Sequence, residues 1–192
     1  MKKRIVILIA GVLPMLIMAT MPERSSSGAP ASHTGAPGEA TCTTSGCHDD
    51  NGLNNGPATL KIEVGGGITN YIPGHTYSIK VKISDVAIER FGFQLTALAN
   101  NNNLMAGTFQ IVDSIKTQLV QNAYTLNDRN YVTYTFDGTD AISIGVGEWE
   151  VNWTAPSTNI GSITFYAGAV SANDDMTDKG DHVYTTSLSI LN

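Results

Sequence analysis

Both cysteines of the chain lie in one short stretch, and a histidine directly follows the second. Cys42 and Cys47 are separated by four residues, and His48 comes next. Two thiols can add to the two vinyl groups of a haem, and an adjacent imidazole can then bind the iron from one side. The stretch therefore predicts covalent attachment of one haem c, with Cys42 and Cys47 as thioether anchors and His48 as the proximal iron ligand.

Two other outcomes remain open for the same three residues. The spacing is wider than the two residues that usually separate the cysteines of a haem c site. Two cysteines this close in an exported protein also form a disulfide readily, and Gly46 would help the turn between them. In that case His48 has no role as a ligand. A zinc site is the third alternative, although two thiolates and one imidazole lack a clear fourth ligand.

A haem iron held by His48 would take its sixth ligand from elsewhere in the chain. His33 lies in the same segment and is the first candidate for the distal position. Met176 is the second candidate and would have to come from a loop of the following domain. Methionine opposite histidine raises the reduction potential relative to two histidines, so this choice bears on function. An iron left open on one side would instead favour binding of small ligands.

The chain begins with the parts of a secretory signal peptide. Basic residues 2–4 are followed by an apolar run over residues 5–19, and Ala19 is the expected cleavage point. The run is shorter than the roughly 20 apolar residues that span a bilayer, and an uncleaved membrane anchor is the alternative. We therefore expect an exported protein, secreted or held in the periplasm or at the cell surface of a bacterium, with no membrane span after cleavage.

Charge and motif content narrow the classes of function. The chain has 11 Lys and Arg against 17 Asp and Glu, a net charge of -6, which argues against nucleic acid or an anionic membrane as a partner. It contains no nucleophile elbow, zincin helix motif or phosphate-binding loop, so we do not expect an enzyme. The haem hypothesis implies a redox partner, which the sequence leaves unidentified together with the oligomeric state.

Two regions of different composition follow the signal peptide. Residues 20–57 are rich in small and polar residues and predict a flexible segment that carries the Cys and His residues. Residues 58–192 alternate between apolar and polar residues in short runs, which predicts an antiparallel, immunoglobulin-like β-sandwich. Trp149 and Trp153 share one face of such a run and are expected in the core. The predicted strands are residues 59–64, 76–83, 91–98, 108–112, 131–136, 149–153, 162–167 and 182–190. Residues 112–122 could instead form a turn or two of helix.

Five short motifs of the strand region occur in the order found in a known extracellular module. They are Tyr71-Ile-Pro-Gly74, Gly92-Phe-Gln-Leu-Thr-Ala97, Ala106-Gly-Thr-Phe109, Trp153-Thr-Ala-Pro156 and Gly161-Ser-Ile-Thr-Phe-Tyr166. Together they resemble the Reeler domain, the module at the N-terminus of reelin that also occurs in secreted bacterial proteins. The resemblance covers residues 58–192. Eukaryotic Reeler domains usually carry cysteines within the β domain, and this chain has none there, so packing alone should hold its sandwich.

The upstream motif Thr34-Gly-Ala-Pro-Gly-Glu39 extends the resemblance to exported bacterial proteins with a Reeler-like domain. In those proteins the following cysteines usually belong to a Cys-x-x-Cys-His haem c motif. The resemblance therefore implies an electron-transfer module in which haem c is carried on a β-sandwich scaffold. The alternative hypothesis is an extracellular binding or adhesion module, with a disulfide between Cys42 and Cys47 and no haem.

Overall fold

The computed structural model of the chain describes residues 27–44, 46–122 and 124–192. The predicted signal peptide, residues 1–19, lies outside the described residues, as does the first part of the predicted flexible segment. Within the described ranges, no helix is both long enough and apolar enough to cross a membrane.

Two antiparallel sheets form the protein. The first contains β1 Thr59–Val64, β2 Thr76–Ser84, β7 Val146–Thr154 and β4 Thr108–Ile111, in the order β1-β2-β7-β4. The second contains β5 Thr117–Gln121, β6 Asn130–Tyr134, β3 Arg90–Ala99, β8 Ile163–Ala172 and β9 His182–Ile190, in the order β5-β6-β3-β8-β9. A 3₁₀ turn, Asp137–Thr139, lies between β6 and β7. The predicted antiparallel sandwich is confirmed.

Alternation along the strands places the core between the two sheets. Ile79 and Val81 of β2 are buried and lie opposite Val151 and Trp149 of β7 in the antiparallel register. The intervening polar residues of both strands face outward, as the two-residue period of a strand requires. Trp153 is also fully buried. The two tryptophans are therefore core residues, as the sequence predicts.

Residues 117–121 correct one sequence prediction. The stretch 112–122 was expected to allow a turn or two of helix, but Thr117–Gln121 forms β5, which pairs with β6 over its whole length. Apolar and polar residues do not alternate here, because Leu119 and Val120 are adjacent in the sequence. Pairing with a neighbouring strand, rather than a hydrophobic pattern, makes this segment a strand.

The second sheet is covered on its outer face by the residues that precede β1. We call residues 27–57, with Ser45 not described, the strap. The strap contains no regular strand among its described residues, yet it packs on the sheet. The main-chain N–H of His33 donates to Oε1 of Gln94 at 2.8 Å, and Nε2 of Gln94 donates to the carbonyl of Pro30 at 2.8 Å. Gln94 is fully buried, so the strap supplies the hydrogen bonds that this side chain would otherwise obtain from water.

Close approach of the strap depends on a glycine of β8. A Cβ atom at Gly168 would lie 2.7 Å from the carbonyl oxygen of His33, which is too close for any other residue without a shift of the main chain. Further along, the strap reaches the free edge of β9. The N–H of Asn54 donates to the carbonyl of Val183 at 2.8 Å, and the N–H of Thr185 donates to Oδ1 of Asn54 at 2.8 Å. The strap thus satisfies part of an exposed sheet edge.

A buried ion pair fastens the middle of the strap. Nη1 of Arg129, in the β5–β6 loop, lies 2.7 Å from Oε1 of Glu39, and the two side chains are 4% and 0% exposed. The hydroxyl of Tyr131 donates to the same carboxylate at 2.9 Å, and the hydroxyl of Thr34 donates to its other oxygen at 2.5 Å. Burial, with the Glu39 charge adding to it, raises the pKa of Tyr131 to about 12, so the phenol stays protonated and remains a donor.

Candidate functional site

The imidazole of His48 is held by a buried carboxylate from the other end of the chain. Its Nδ1 lies 2.7 Å from Oδ2 of Asp181, and the two side chains are 30% and 2% exposed. A carboxylate only accepts hydrogen bonds, so Nδ1 is the donor and Nε2 is left as the second ring nitrogen. Oδ1 of Asp181 accepts the N–H of Asn173 at 2.9 Å, which fixes the carboxylate in turn. The Asp181 carboxylate thus fixes the orientation of the ring, as a carboxylate hydrogen-bonded to the free ring nitrogen does in many metal-binding histidines.

The residues after His48 dock on the same β8–β9 loop. Nζ of Lys179 lies 2.9 Å from a carboxylate oxygen of Asp49 and 2.9 Å from one of Asp50. The hydrogen bond with Lys179 lowers the pKa of Asp49, and the two aspartates raise the pKa of Lys179. These side chains are exposed, so salt screens the pairs and each contributes little to stability. These ion pairs therefore fix where residues 49 and 50 lie on the loop, but they add little to the free energy of unfolding.

The two cysteines occupy a compact turn of the strap. The N–H of Cys47 donates to the carbonyl of Thr44 at 3.0 Å, and the N–H of His48 donates to the carbonyl of Cys42 at 3.0 Å. Both cysteines are free thiols. Cys42 and Cys47 are both partly buried as residues. Burial, followed by the nearby Cys47, raises the pKa of Cys42 to about 12. The two sulfurs are therefore close enough to interact electrostatically, and the Cys42 thiol is a poor nucleophile.

We expect iodoacetamide to modify Cys47 before Cys42 in the reduced, folded protein. Both residues are partly buried, but burial raises the pKa of Cys42 to about 12, so its thiol is almost wholly protonated at about pH 8. Peptide mass spectrometry at successive times should show singly modified protein carrying the label at Cys47. In denaturant the two rates should become equal. Equal rates in the folded protein would contradict the burial of Cys42.

The predicted distal ligands lie in different surroundings. Nδ1 of His33 lies 2.9 Å from the carbonyl of Pro30 and 3.0 Å from that of Ala31. Met176 is 81% exposed in the β8–β9 loop, the loop that also supplies Asp181. In the part of the chain that the structure describes, no group of three or more His, Cys, Asp or Glu side chains could hold a metal ion. The structure thus joins His48 to Asp181, and it does not gather His33 into a common metal-binding group.

Sequence reasoning identified His48 but missed the residues that position it. Asp181 lies 133 residues from His48 in the chain, and it is one of several carboxylates in a polar loop, where such residues are ordinarily exposed. Arg129 gave no signal, because a lone arginine in a polar loop is ordinarily exposed. Glu39 was noticed only as the last residue of a motif. Nothing local in the sequence indicates that its carboxylate is fully buried.

Comparisons with known proteins agree with this architecture. A family model described as the Reeler domain matches residues 40–175. The crystal structure of the human F-spondin reeler domain (fragment 1) superposes with a TM-score of 0.54 at 22% identity, covering 74% of this chain and 94% of that chain. The Reelin-N domain of F-spondin gives a TM-score of 0.50 at 23% identity, covering 76% and 95%. At these identities the structural likeness shows the fold alone. No curated protein matches the sequence.

Proposed function

The chain belongs to the Reeler family, and on that premise we propose that it is an exported extracellular binding module in which Cys42 and Cys47 form a disulfide and no haem is attached. Reeler domains are extracellular modules, and disulfides form in the compartments to which such modules are exported. The sandwich and its strap together form the binding scaffold, and the disulfide closes a small loop of the strap.

The observation that carries this proposal is the compact turn around the two cysteines. The hydrogen bond from the His48 N–H to the Cys42 carbonyl already closes the loop that a disulfide would close. Oxidation removes two electrons and two protons from the pair of thiols and passes them to a disulfide oxidant of the exported compartment. Cys47 is the sulfur that reacts first with such an oxidant, because the raised pKa of Cys42 keeps that thiol protonated, and Cys42 then completes the bond.

Haem c attachment is the second candidate, and one contact favours it. The Asp181 carboxylate holds Nδ1 of His48, which leaves Nε2 as the nitrogen that could bind iron. One observation weighs against the fit of the residues as they are placed. Burial of the Cys42 thiol means that a haem could reach it only if that part of the strap moved. Haem attachment therefore stays a prediction from the sequence.

We expect a colourless protein whose intact mass is two hydrogens below that of the reduced chain. The protein should be exported from a host that carries cytochrome c maturation machinery, with a known c-type cytochrome as positive control. Intact mass and a pyridine haemochrome spectrum then separate the candidates, because a covalent haem adds about 600 Da and gives a c-type α-band. A Cys42→Ser, Cys47→Ser variant should abolish the mass difference on reduction. A c-type α-band with the mass of one haem would overturn the proposal.

A further inference from the structure

The loops at one end of the sandwich expose an unusual number of large apolar side chains. These loops are residues 85–89, 112–116, 135–145 and 173–181, and we call them together the acidic end. The antiparallel registers bring them to the same end of the two sheets, since Ser84 pairs with Val146 and Arg90 with Ala172. Direct contacts confirm it: the N–H of Asp85 donates to the carbonyl of Gly145 at 2.9 Å.

Seven apolar side chains of the acidic end are at least half exposed. They are Val86 at 90%, Val112 at 55%, Ile115 at 67%, Phe136 at 56%, Ile142 at 50%, Ile144 at 72% and Met176 at 81%. Single exposed apolar residues are ordinary on a protein surface, but several on adjoining loops mark a site of interaction. Because these side chains come from all four loops, the exposure is a property of this end of the fold and not of one irregular segment.

Two shallow clefts lie between these loops, and each combines an apolar with an acidic lining. One cleft of about 240 Å³ contains Val112, Ile142 and the carboxylate of Glu148. The other, of about 220 Å³, contains Ile144 and the carboxylate of Glu89. Neither encloses enough space to bury most of a drug-sized ligand. Each is large enough to accept a side chain that projects from a segment of another protein.

The charge of the acidic end indicates the charge that a bound segment of another protein would carry. The described residues of its four loops carry Glu89, Asp113, Asp137, Asp140, Asp174 and Asp178 among their carboxylates. Two of the three cations near them have carboxylate partners: Arg90 lies 2.9 Å from Asp140 and 3.4 Å from Asp174, and Lys179 contacts three aspartates. The third, Lys116, lines the first cleft, and the carboxylates of the four loops outnumber these cations. The surface is therefore negative around its apolar side chains. It would repel anionic lipid and nucleic acid and attract a cationic partner.

We propose that the acidic end binds a cationic amphipathic segment of an extracellular protein, with apolar side chains seated against Ile142 and Ile144 and Lys or Arg side chains against the surrounding carboxylates. This inference rests on the proposed function, because it names the surface and the chemistry of the partner that an extracellular binding module would use. Apolar contact supplies the affinity, and the carboxylates supply orientation and a faster encounter.

The probe is a short synthetic peptide of alternating lysine and leucine, with a lysine–serine peptide of equal charge as its partner control. Fluorescence anisotropy should show that the lysine–leucine peptide binds and that its affinity falls as salt is added. The lysine–serine peptide should bind at least about tenfold more weakly, since it lacks the apolar contacts. Protection of residues 135–145 from hydrogen exchange should accompany binding of the lysine–leucine peptide.

Variants at the two ends of the sandwich distinguish binding at the acidic end from nonspecific attraction of the peptide to the net charge of the protein. Ile142→Ser with Ile144→Ser should weaken the lysine–leucine peptide about tenfold, and Glu89→Gln with Asp137→Asn should reduce the salt dependence. Ile72→Ser with Leu104→Ser alters exposed apolar residues outside the acidic end and should leave binding unchanged. Circular dichroism would check that each variant keeps its fold. Equal affinities for both peptides, equal losses in both apolar variants, or preferential binding to anionic lipid vesicles would overturn the proposal.

Failure here would differ from failure of the proposed function. A colourless, disulfide-bonded protein that does not bind the lysine–leucine peptide would keep the proposed function and remove this surface from it. A protein that carries a covalent haem would remove the proposed function, whatever the peptide does.

Discussion

Replacing Arg129 with methionine should lower the free energy of unfolding by about 3–5 kcal/mol. The Arg129 and Glu39 side chains are 4% and 0% exposed, so the substitution leaves a carboxylate buried without its counter-ion. Nη1 of Arg129 also donates to the carbonyl of Pro37, and Nη2 to that of Asn103, both at 3.0 Å, and these acceptors would lose their donors. Urea unfolding followed by circular dichroism measures the loss.

Arg90→Met is the matched control for this prediction. Nη1 of Arg90 lies 2.9 Å from Asp140, a distance close to that of the buried pair, but the two side chains are 34% and 70% exposed. Solvent screens such a pair, so its loss should cost no more than about 1 kcal/mol. Losses of similar size in the two variants would show that burial does not distinguish the pairs, which would contradict the structure.

The expected loss does not mean that the ion pair is a strong source of stability. Nε of Arg129 is buried without a hydrogen-bond partner among the described residues, and taking both charges out of water is costly. The pair matters because removing one member leaves the other unsatisfied. Hydrogen exchange should therefore show the greatest loss of protection in the strap near Glu39, since that is the part of the chain that the pair fastens to the sheet.

Much of the sandwich could be predicted from the sequence because several strands, β2 and β7 among them, bury one face and expose the other. The run at residues 59–64 coincides with β1, and residues 182–190 coincide with β9. A period of two in hydrophobicity is a direct consequence of strand geometry, so it survives in a single sequence. β5 escaped the prediction because its apolar residues Leu119 and Val120 are adjacent in the sequence, which interrupts that period.

The packing of the strap could not be predicted in the same way. Its residues are small and polar, which is typical of a flexible segment, because such residues bury little apolar surface. In the structure the strap is held by hydrogen bonds instead, of which those between Gln94 and the main chain near His33 are an example. These bonds join residues that are distant in sequence. Each bond forms only once the sheet has formed, so no local pattern of residues predicts it.

In the candidate site, too, the residues adjacent in sequence could be predicted, whereas the contacts between residues far apart in sequence could not. The two thiols and His48 stand together in the sequence, so their shared chemistry could be inferred directly. Asp181 reaches His48 only because the β8–β9 loop and the strap meet at one end of the sandwich. Burial of the Cys42 sulfhydryl likewise depends on where the strap rests, and that burial changes which chemistry the thiols favour.

Replacing Trp153 with alanine should lower the free energy of unfolding by about 3–5 kcal/mol. The indole is fully buried, and its ring centroid lies 4.9 Å from that of Phe165 and 6.3 Å from that of Tyr71. Its Nε1 donates to the carbonyl of Ala106 at 2.9 Å. Alanine would remove the packing between the two sheets and leave that carbonyl without its donor. Trp149 remains in the variant as a fluorescence reporter of unfolding.

Trp153→Phe separates the two parts of this loss. Phenylalanine keeps an aromatic ring between the sheets but has no N–H, so the variant should lose about 1–3 kcal/mol for the unsatisfied carbonyl of Ala106 together with a smaller cavity cost than alanine. Tyr124→Ala is the exposed control, since Tyr124 is 93% exposed, and it should change stability by no more than about 0.5 kcal/mol. A loss at Trp153→Ala as small as that of Tyr124→Ala would mean that the indole is not packed in the core. The β domain contains no cysteine, so packing has to supply the stability that disulfides supply in small exported domains. A large decrease in the free energy of unfolding on replacing Trp153 would show that it does.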